Sequence, residues 1–257
     1  MFLCLDVGNT QIHGGVYDKN EKQLCQFRFS SSANSSSDEM GLFLRNVLRE
    51  NDVDPSQIEH IGFCSVVPKS IYSLKNACLK YFKRKAFVLE AGVKTGLKIK
   101  YKNPAEVGAD RIANSIAAVD KYPDKNLIII DFGTATTFCC VSKDKEYLGG
   151  VIAPGMKLSV EALETKTAKL PSVEILRPKS VLGTTTVNSI QSGIFYGHLY
   201  SIQGLLSQLK QEAFSGEEVM VLGTGGFARL FEKENIFDHL QSDLVLQGVY
   251  KSMLKNL

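Results

Sequence analysis

Two segments of this sequence share one design, and that repetition restricts the folds open to the chain. Each segment is an aliphatic run that leads into Asp-x-Gly and a group of hydroxyl or amide side chains, first at residues 3–10 and again at 128–137. Roughly half of the 257-residue chain separates them. After each turn come a strand-like stretch, a polar turn and a third strand-like stretch, a pattern typical of consecutive hairpins. The repetition predicts two related halves.

The remaining sequence alternates between the two kinds of secondary structure. Apolar residues recur at helical spacing in four segments, 38–51, 70–82, 111–119 and 186–210. Strand-like runs cover residues 58–67, 87–89 and 219–222. This alternation predicts an α/β fold with helices packed on mixed sheets, divided into halves at residues 1–120 and 121–257. We expect the serine-rich segment 30–37 to be a surface loop.

Composition excludes several classes of protein. Hydrophobic residues make up 44% of the chain and charged residues 22%, which rules out intrinsic disorder. The 30 basic and 27 acidic residues leave a net charge of only +3, and this small charge does not favour binding to nucleic acid. The apolar runs are too short to cross a membrane, and no membrane partner is expected.

The N-terminus and the cysteines predict the compartment. The opening residues MFLCLDVGNT carry no basic leader and reach an acidic residue at Asp6, so we expect no signal peptide. Six cysteines occur, none of them as a CxxC pair. Without an export signal, these are expected to be free thiols in a reducing cytoplasm.

The chemistry of the two Asp-x-Gly turns has two interpretations. A carboxylate at the end of a buried strand is costly unless a cation, bound water or backbone amides offset its desolvation. The glycine allows a ligand to approach the backbone, and the amides and hydroxyls that follow can hold a polyphosphate. The alternative is an ordinary hairpin turn, which is favoured for one isolated copy. The presence of two copies favours the phosphate interpretation.

Other segments could take part in the same chemistry. Asp110 and Arg111 follow Gly108 near a helix N-terminus, where the carboxylate could cap the helix or act as a general base. Arg111 offers a planar fork suited to a substrate carboxylate. The glycine-rich turn 223–226 could accept the nucleoside or merely connect a strand to a helix. The four histidines show no metal-ligand spacing.

Taken together, these motifs resemble those of the type III pantothenate kinase family, within the superfamily of acetate and sugar kinases, Hsp70 and actin. The resemblance extends over essentially the whole chain. It is carried by five motifs, given in chain order: Asp-Val-Gly-Asn-Thr at 6–10, Pro-x-x-x-Gly-x-Asp-Arg at 104–111, Asp-Phe-Gly-Thr-Ala-Thr-Thr at 131–137, Gly-Gly-x-Ile-x-Pro-Gly at 149–155 and Gly-Thr-Gly-Gly at 223–226.

The resemblance implies a fold, a reaction and a set of site residues. The fold would be two ribonuclease-H-like domains, as in actin-like ATPases, and the reaction ATP-dependent phosphorylation of pantothenate to 4'-phosphopantothenate in coenzyme A biosynthesis. ATP binding is implied for Asp6, Val7, Gly8, Asn9, Thr10, Gln11, Ile12, His13 and Thr134. Pantothenate binding is implied for Tyr101, Gly108, Ala109, Asp110, Arg111 and Thr186.

The family also implies cofactors, roles and an assembly. Asp110 would accept the proton of the substrate hydroxyl, and Asp131 would bind a monovalent cation, K⁺ or NH₄⁺. Mg²⁺ would accompany ATP, and the protein would be a homodimer. Two alternatives remain at this point: an accessory protein of a transcription factor, and a kinase of the same superfamily that acts on a sugar or on acetate.

Overall fold

The computed structural model describes residues 1–31 and 35–257. Part of the expected serine-rich loop, residues 32–34, lies outside the described residues. Within the described residues, helices alternate with strands along most of the chain. The strands are β1 (Phe2–Val7), β2 (Gln11–Tyr17), β3 (Gln23–Ser30), β4 (His60–Ser65), β5 (Phe87–Val88), β6 (Lys98–Ile99), β7 (Asn126–Phe132), β8 (Ala135–Val141), β9 (Glu146–Pro154), β10 (Val219–Thr224) and β11 (His239–Leu240). The α-helices are α1 (Ser37–Arg49), α2 (Pro68–Ala77), α3 (Ala109–Lys121), α4 (Met156–Lys166), α5 (Thr186–Phe214) and α6 (Leu244–Leu254).

The chain forms two compact units. The first contains Met1–Leu97, Lys102–Ala117 and Leu244–Leu257, and the second contains Lys98–Tyr101 and Ala118–Asp243. The C-terminal helix α6 therefore belongs to the same unit as the N-terminal strands. The division into halves at residue 120 stays a prediction about the duplication.

Local sequence explains the helix ends in the first unit. Ser36 and Glu39 form a reciprocal capping box at the start of α1, because each side chain accepts a hydrogen bond from the other residue's backbone N–H. Pro68 begins α2, a position where its missing N–H costs nothing. The segment predicted as one helix over 70–82 changes to a π-helical turn at Cys78–Phe82, which ends at Lys83 in the left-handed conformation.

The sheet of the first unit has the order β3-β2-β1-β4-β5. Strands β1, β2 and β3 pair antiparallel, whereas β4 pairs parallel with β1 and β5 pairs parallel with β4. Its core includes Leu3, Leu5, Leu44, Leu48 and Phe63, all fully buried. Helix α6 packs closely in this unit, since a Cβ on Gly248 would lie 1.8 Å from the carbonyl oxygen of Ala113 in α3.

The sheet of the second unit repeats that topology. Its order is β11-β10-β7-β8-β9-β6, so β7 to β11 occupy the places that β1 to β5 hold in the first sheet. Strand β6 adds a sixth position beside β9. The core is built on Ile128, Ile130, Phe138, Phe195 and Phe231. The predicted α/β fold with two mixed sheets and flanking helices is confirmed. The glycine-rich turn after β10 leads into a 3₁₀ helix at Ala228–Glu234.

A search of residues 1–31 and 35–257 finds no helix with both the length and the apolar character needed to cross a membrane.

Candidate active site

The first Asp-x-Gly turn joins β1 to β2. The N–H of Gly8 donates to the carbonyl oxygen of Gln11 at 3.0 Å, which closes the turn. Asn9, Thr10 and Gln11 are exposed, whereas Val7, Ile12 and His13 are buried within the strands. The His13 ring lies in a hydrogen bond with the side chain of Gln26 on β3. Polar atoms of residues 9–11 are therefore the ones that a ligand in solution can reach.

Asp6 lies at the end of β1, next to β4. The parallel register places Cys64 directly beside Asp6, and the Cys64 Sγ donates to Asp6 Oδ1 at 3.4 Å. Cys64 is fully buried, and Asp6 is half-buried. A charge at this depth is stabilised by donors, and the thiol supplies one of them.

The segment that contains Asp110 forms the first turn of α3. Asp110 Oδ1 accepts a hydrogen bond from the N–H of Arg111 at 2.8 Å. A Cβ on Gly108 would lie 2.5 Å from Asp110 Oδ1, so only glycine leaves room for the carboxylate in this position. Arg111 is buried, at 5% exposure, and Ala109 and Asp110 are half-buried.

Asp6 and Asp110, far apart in sequence, both affect Cys64 through their charges. Burial raises the pKa of the Cys64 thiol well above its ordinary value, and the negative charges of Asp6 and Asp110 raise it further. The thiol is therefore protonated at neutral pH and can donate. The first turn and the Gly-x-Asp-Arg segment both belong to the first unit.

The second Asp-x-Gly turn lies at the end of β7, in the second unit. Asp131 is half-buried and stands beside Thr224 in the parallel register with β10. Gly225, with a φ of 90°, approaches so closely that a Cβ there would lie 2.4 Å from Asp131 Oδ1. The late glycine turn 223–226 therefore packs against this carboxylate.

Gly155 supports the same turn from its other side. Its N–H donates to the carbonyl oxygen of Thr134 at 3.2 Å. A Cβ on Gly155 would lie 2.3 Å from that oxygen and 2.6 Å from the carbonyl oxygen of Gly133. Thr134 itself is exposed. Three glycine-containing motifs of the sequence thus converge at the end of β7.

Tyr101 and Thr186 also lie in the second unit. The Tyr101 ring is 6.3 Å from the ring of Tyr147, centroid to centroid, and borders Gly149. Thr186 is the first residue of α5 and is exposed, while the capping hydrogen bond to the N–H of Asn188 is made by Thr185. Capping is therefore the role of Thr185.

Thr186 lines a cavity of about 1340 Å³. The walls come from β8, β9, α4, α5 and the segment between the two helices. Four leucines and three isoleucines line it together with eight Ser or Thr residues, Lys166 and His198. Such a cavity suits an organic molecule that has both apolar and hydrogen-bonding parts.

The sequence does not predict the hydrogen bond from Cys64 to Asp6. It predicts Cys64 only as one of six free thiols, within the strand-like run 58–67. Within the described parts of the chain, residues 1–31 and 35–257, no three His, Cys, Asp or Glu side chains cluster as a metal site.

Comparison with known proteins identifies relatives. The family model described as type III pantothenate kinase matches residues 2–208. The type III pantothenate kinase of Legionella pneumophila (strain Paris) is 56% identical over 256 residues, covering 100% of this chain and 99% of the relative.

Solved structures share the fold at low sequence identity. A candidate 2-dehydro-3-deoxygalactonokinase from Sinorhizobium meliloti aligns with a TM-score of 0.65 at 11% identity, covering 98% of this chain and 96% of the other. A candidate Baf family transcriptional activator from Campylobacter jejuni aligns with a TM-score of 0.59 at 18% identity, covering 99% and 98%. The predicted fold class of sugar kinases and actin-like ATPases is confirmed.

Proposed function

The chain belongs to the type III pantothenate kinase family, and from this membership we propose that it transfers the γ-phosphoryl group of ATP to the primary hydroxyl of pantothenate. The products are ADP and 4'-phosphopantothenate, in the first step of coenzyme A biosynthesis. The observation that carries the proposal is the geometry of two carboxylates in the first unit: Asp6 at the end of β1, held by the Cys64 thiol, and Asp110 in the first turn of α3, held by the Arg111 N–H. Family membership supplies the identity of the substrates.

Asp110 acts as the general base. As the pantothenate oxygen forms its bond to the γ-phosphorus, the bond from that phosphorus to the β,γ-bridging oxygen breaks and ADP leaves. The hydroxyl proton passes to the Asp110 carboxylate. The bond from the Arg111 N–H to Asp110 Oδ1 holds the base in place, which lowers the entropic cost of reaching the reactive geometry.

The phosphates of ATP bind to residues 6–13 and Thr134. The exposed amides and hydroxyl of Asn9, Thr10 and Gln11 offer donors to phosphate oxygens, and the half-buried Gly8 lets the chain turn tightly. The buried Val7, Ile12 and His13 support the turn from within the sheet. Mg²⁺ bound to ATP would supply positive charge to the phosphate oxygens.

Pantothenate binds to Gly108, Ala109 and Arg111, with Tyr101 and Thr186 as further contacts. The Arg111 guanidinium is suited to the pantothenate carboxylate, since its planar fork matches that group and its burial strengthens the interaction. Thr186 offers its hydroxyl from the cavity that it lines.

Asp131 binds a monovalent cation, K⁺ or NH₄⁺. The chemistry of Asp131 fits such an ion, because a half-buried carboxylate is costly unless a cation or hydrogen-bond donors offset its desolvation. The ion would offset phosphate charge. In a thermal-shift titration with KCl against NaCl, the parent protein should be stabilised selectively by K⁺ and Asp131→Ala should not. Equal responses of the two proteins would contradict this assignment.

The protein assembles as a homodimer through α5. Gly193 and Gly197 are exposed one turn apart on this helix, at the wall of the cavity that Thr186 also lines, and a Cβ on either would meet no atom within 4 Å. The exposed Tyr200 extends that surface. Sedimentation equilibrium should give twice the chain mass, and Gly197→Glu should shift the protein to monomer.

We place the reaction in the cytoplasm, where buried free thiols such as Cys64 and Cys78 stay reduced.

A coupled assay of ADP release tests the proposed function. ADP should appear with pantothenate and ATP, should rise when K⁺ is added, and should be absent with acetate or a panel of sugars. Release with a sugar but not with pantothenate would favour the superfamily alternative. Absence of release with every acceptor would favour the regulatory alternative.

A further inference from the structure

We infer that Cys64 is a positioning residue for phosphoryl transfer: its buried thiol holds the Asp6 carboxylate in place beside the strand that carries it. The inference rests on the proposed function, because it concerns the geometry of the same site. It adds a residue that no motif of the sequence singles out.

The hydrogen bond from Cys64 to Asp6 lies in the middle of the first sheet. Strand β1 lies in the middle of the sheet, between β2 and β4, so neither Asp6 nor Cys64 can shift without moving a paired strand. The Sγ to Oδ1 distance is 3.4 Å, and Cys64 has no exposed surface. A donor in this position fixes one carboxylate oxygen of Asp6 in a single direction.

The surroundings of Cys64 keep its thiol able to donate. Burial, and after it the negative charges of Asp6 and Asp110, raise the pKa of the thiol. A protonated thiol donates to Asp6 without adding a positive charge that would compete for phosphate. A thiol with a raised pKa stays a donor across the physiological pH range.

The alternative is that Cys64 only fills space in the core. Cys78 provides the comparison, because it is an equally buried thiol of the same unit in a helical segment. A packing role predicts that both cysteines respond alike to substitution. A positioning role predicts that only Cys64 affects turnover.

Kinetics of three variants separate the two roles. Cys64→Ala should lower kcat about tenfold, the loss expected for one bond from a weak donor to a charged group. Its KM for pantothenate should stay within about twofold of the parent, because pantothenate contacts other residues. Cys64→Ser should restore kcat, since a hydroxyl also donates. Cys78→Ala should lower the melting temperature and leave kcat unchanged.

Vibrational spectroscopy tests the hydrogen bond from Cys64 to Asp6 without an activity measurement. The S–H stretching band of Cys64, isolated as the Raman difference between the parent and Cys64→Ala, should lie at lower frequency than that of an unbonded thiol. Asp6→Ala should move it to higher frequency. A Cys64 band already at the unbonded position would overturn the inference.

The two proposals can fail separately. A parent protein without pantothenate-dependent ADP release overturns the proposed function. A parent that is active, together with a Cys64→Ala variant of unchanged kcat, overturns only the role of Cys64. Failure of Cys64→Ser to restore kcat, with its melting temperature intact, would likewise contradict donation by the side chain.

Discussion

Single residues set the geometry of Asp110, the proposed base. Asp110 could be interpreted from sequence as a helix cap or as a general base, and its contacts explain why both were reasonable. The carboxylate accepts a backbone N–H in the first turn of α3 and also acts on Cys64. Gly108 makes this possible, because any side chain at that position would overlap the carboxylate.

The role of Asp110 can be tested with a nearly isosteric change. Asp110→Asn should lower kcat by about 10²- to 10⁴-fold, the range of general-base contributions, while the Kd for ATP stays unchanged. Glu106→Gln is the matched control, since it makes the same chemical change on an exposed side chain just before α3. Turnover kinetics and calorimetric ATP binding give the two readouts. Unchanged kcat in Asp110→Asn would remove Asp110 from the role of base.

Gly108→Ala should reduce activity in the same way as Asp110→Asn, but to a smaller extent. The added methyl would stand 2.5 Å from Asp110 Oδ1 and displace the carboxylate. We expect kcat to fall at least about tenfold with little change in melting temperature, because an active-site misplacement of about 1 Å is costly. Parent-like kcat would show that the exact position of Asp110 is unimportant.

At the level of elements, the ends of the strands carry the site. In the first sheet, β1 and β4 bring Asp6 next to Cys64. In the second, β7 and β10 bring Asp131 next to Thr224, and the turn after β9 closes on the turn after β7. Parallel neighbours of the central strand thus place side chains together that are distant in sequence.

Gly155→Ala tests whether the second turn depends on this close packing. Its Cβ would meet two carbonyl oxygens of the backbone, which cannot rotate away as a side chain can. We expect the free energy of unfolding to fall by about 2–3 kcal/mol. Gly204→Ala is the control in open space within α5 and should raise it by up to about 1 kcal/mol. Urea denaturation of both variants measures the difference, and equal effects would contradict the packing argument.

At the level of the whole molecule, the end of the chain completes the unit that contains its beginning. Helix α6 packs on β1 and β4, and Val249 and Met253 lie within 3.3 Å of where a Cβ on Gly62 would stand. The Tyr250 ring stacks edge-on to Phe2, and its hydroxyl donates to the carbonyl oxygen of Asp18. The N-terminal strands therefore reach their final stability only after residue 254 has been made.

Gly248→Ala tests this dependence. The methyl group would lie 1.8 Å from the Ala113 carbonyl oxygen and push α6 away from α3. We expect a loss of about 2 kcal/mol or more in the free energy of unfolding. Hydrogen exchange should show the lost protection concentrated in β1, β4 and α3. Uniform loss over both units, or none, would contradict the assignment of α6.

Local patterns in the sequence were sufficient to predict most of the elements and the two Asp-x-Gly turns, because periodicity and turn formation depend on neighbouring residues. Phosphate binding by those turns stays a prediction. The doubled turn also predicted the repeated sheet topology. The sequence did not predict the partners of these residues: which thiol contacts Asp6, which glycine packs against Thr134, and which unit contains α6 depend on contacts between residues 21 to 232 positions apart. Those pairings arise from strand register and from backbone-to-backbone packing, neither of which has a local signal, so only the folded chain reveals them.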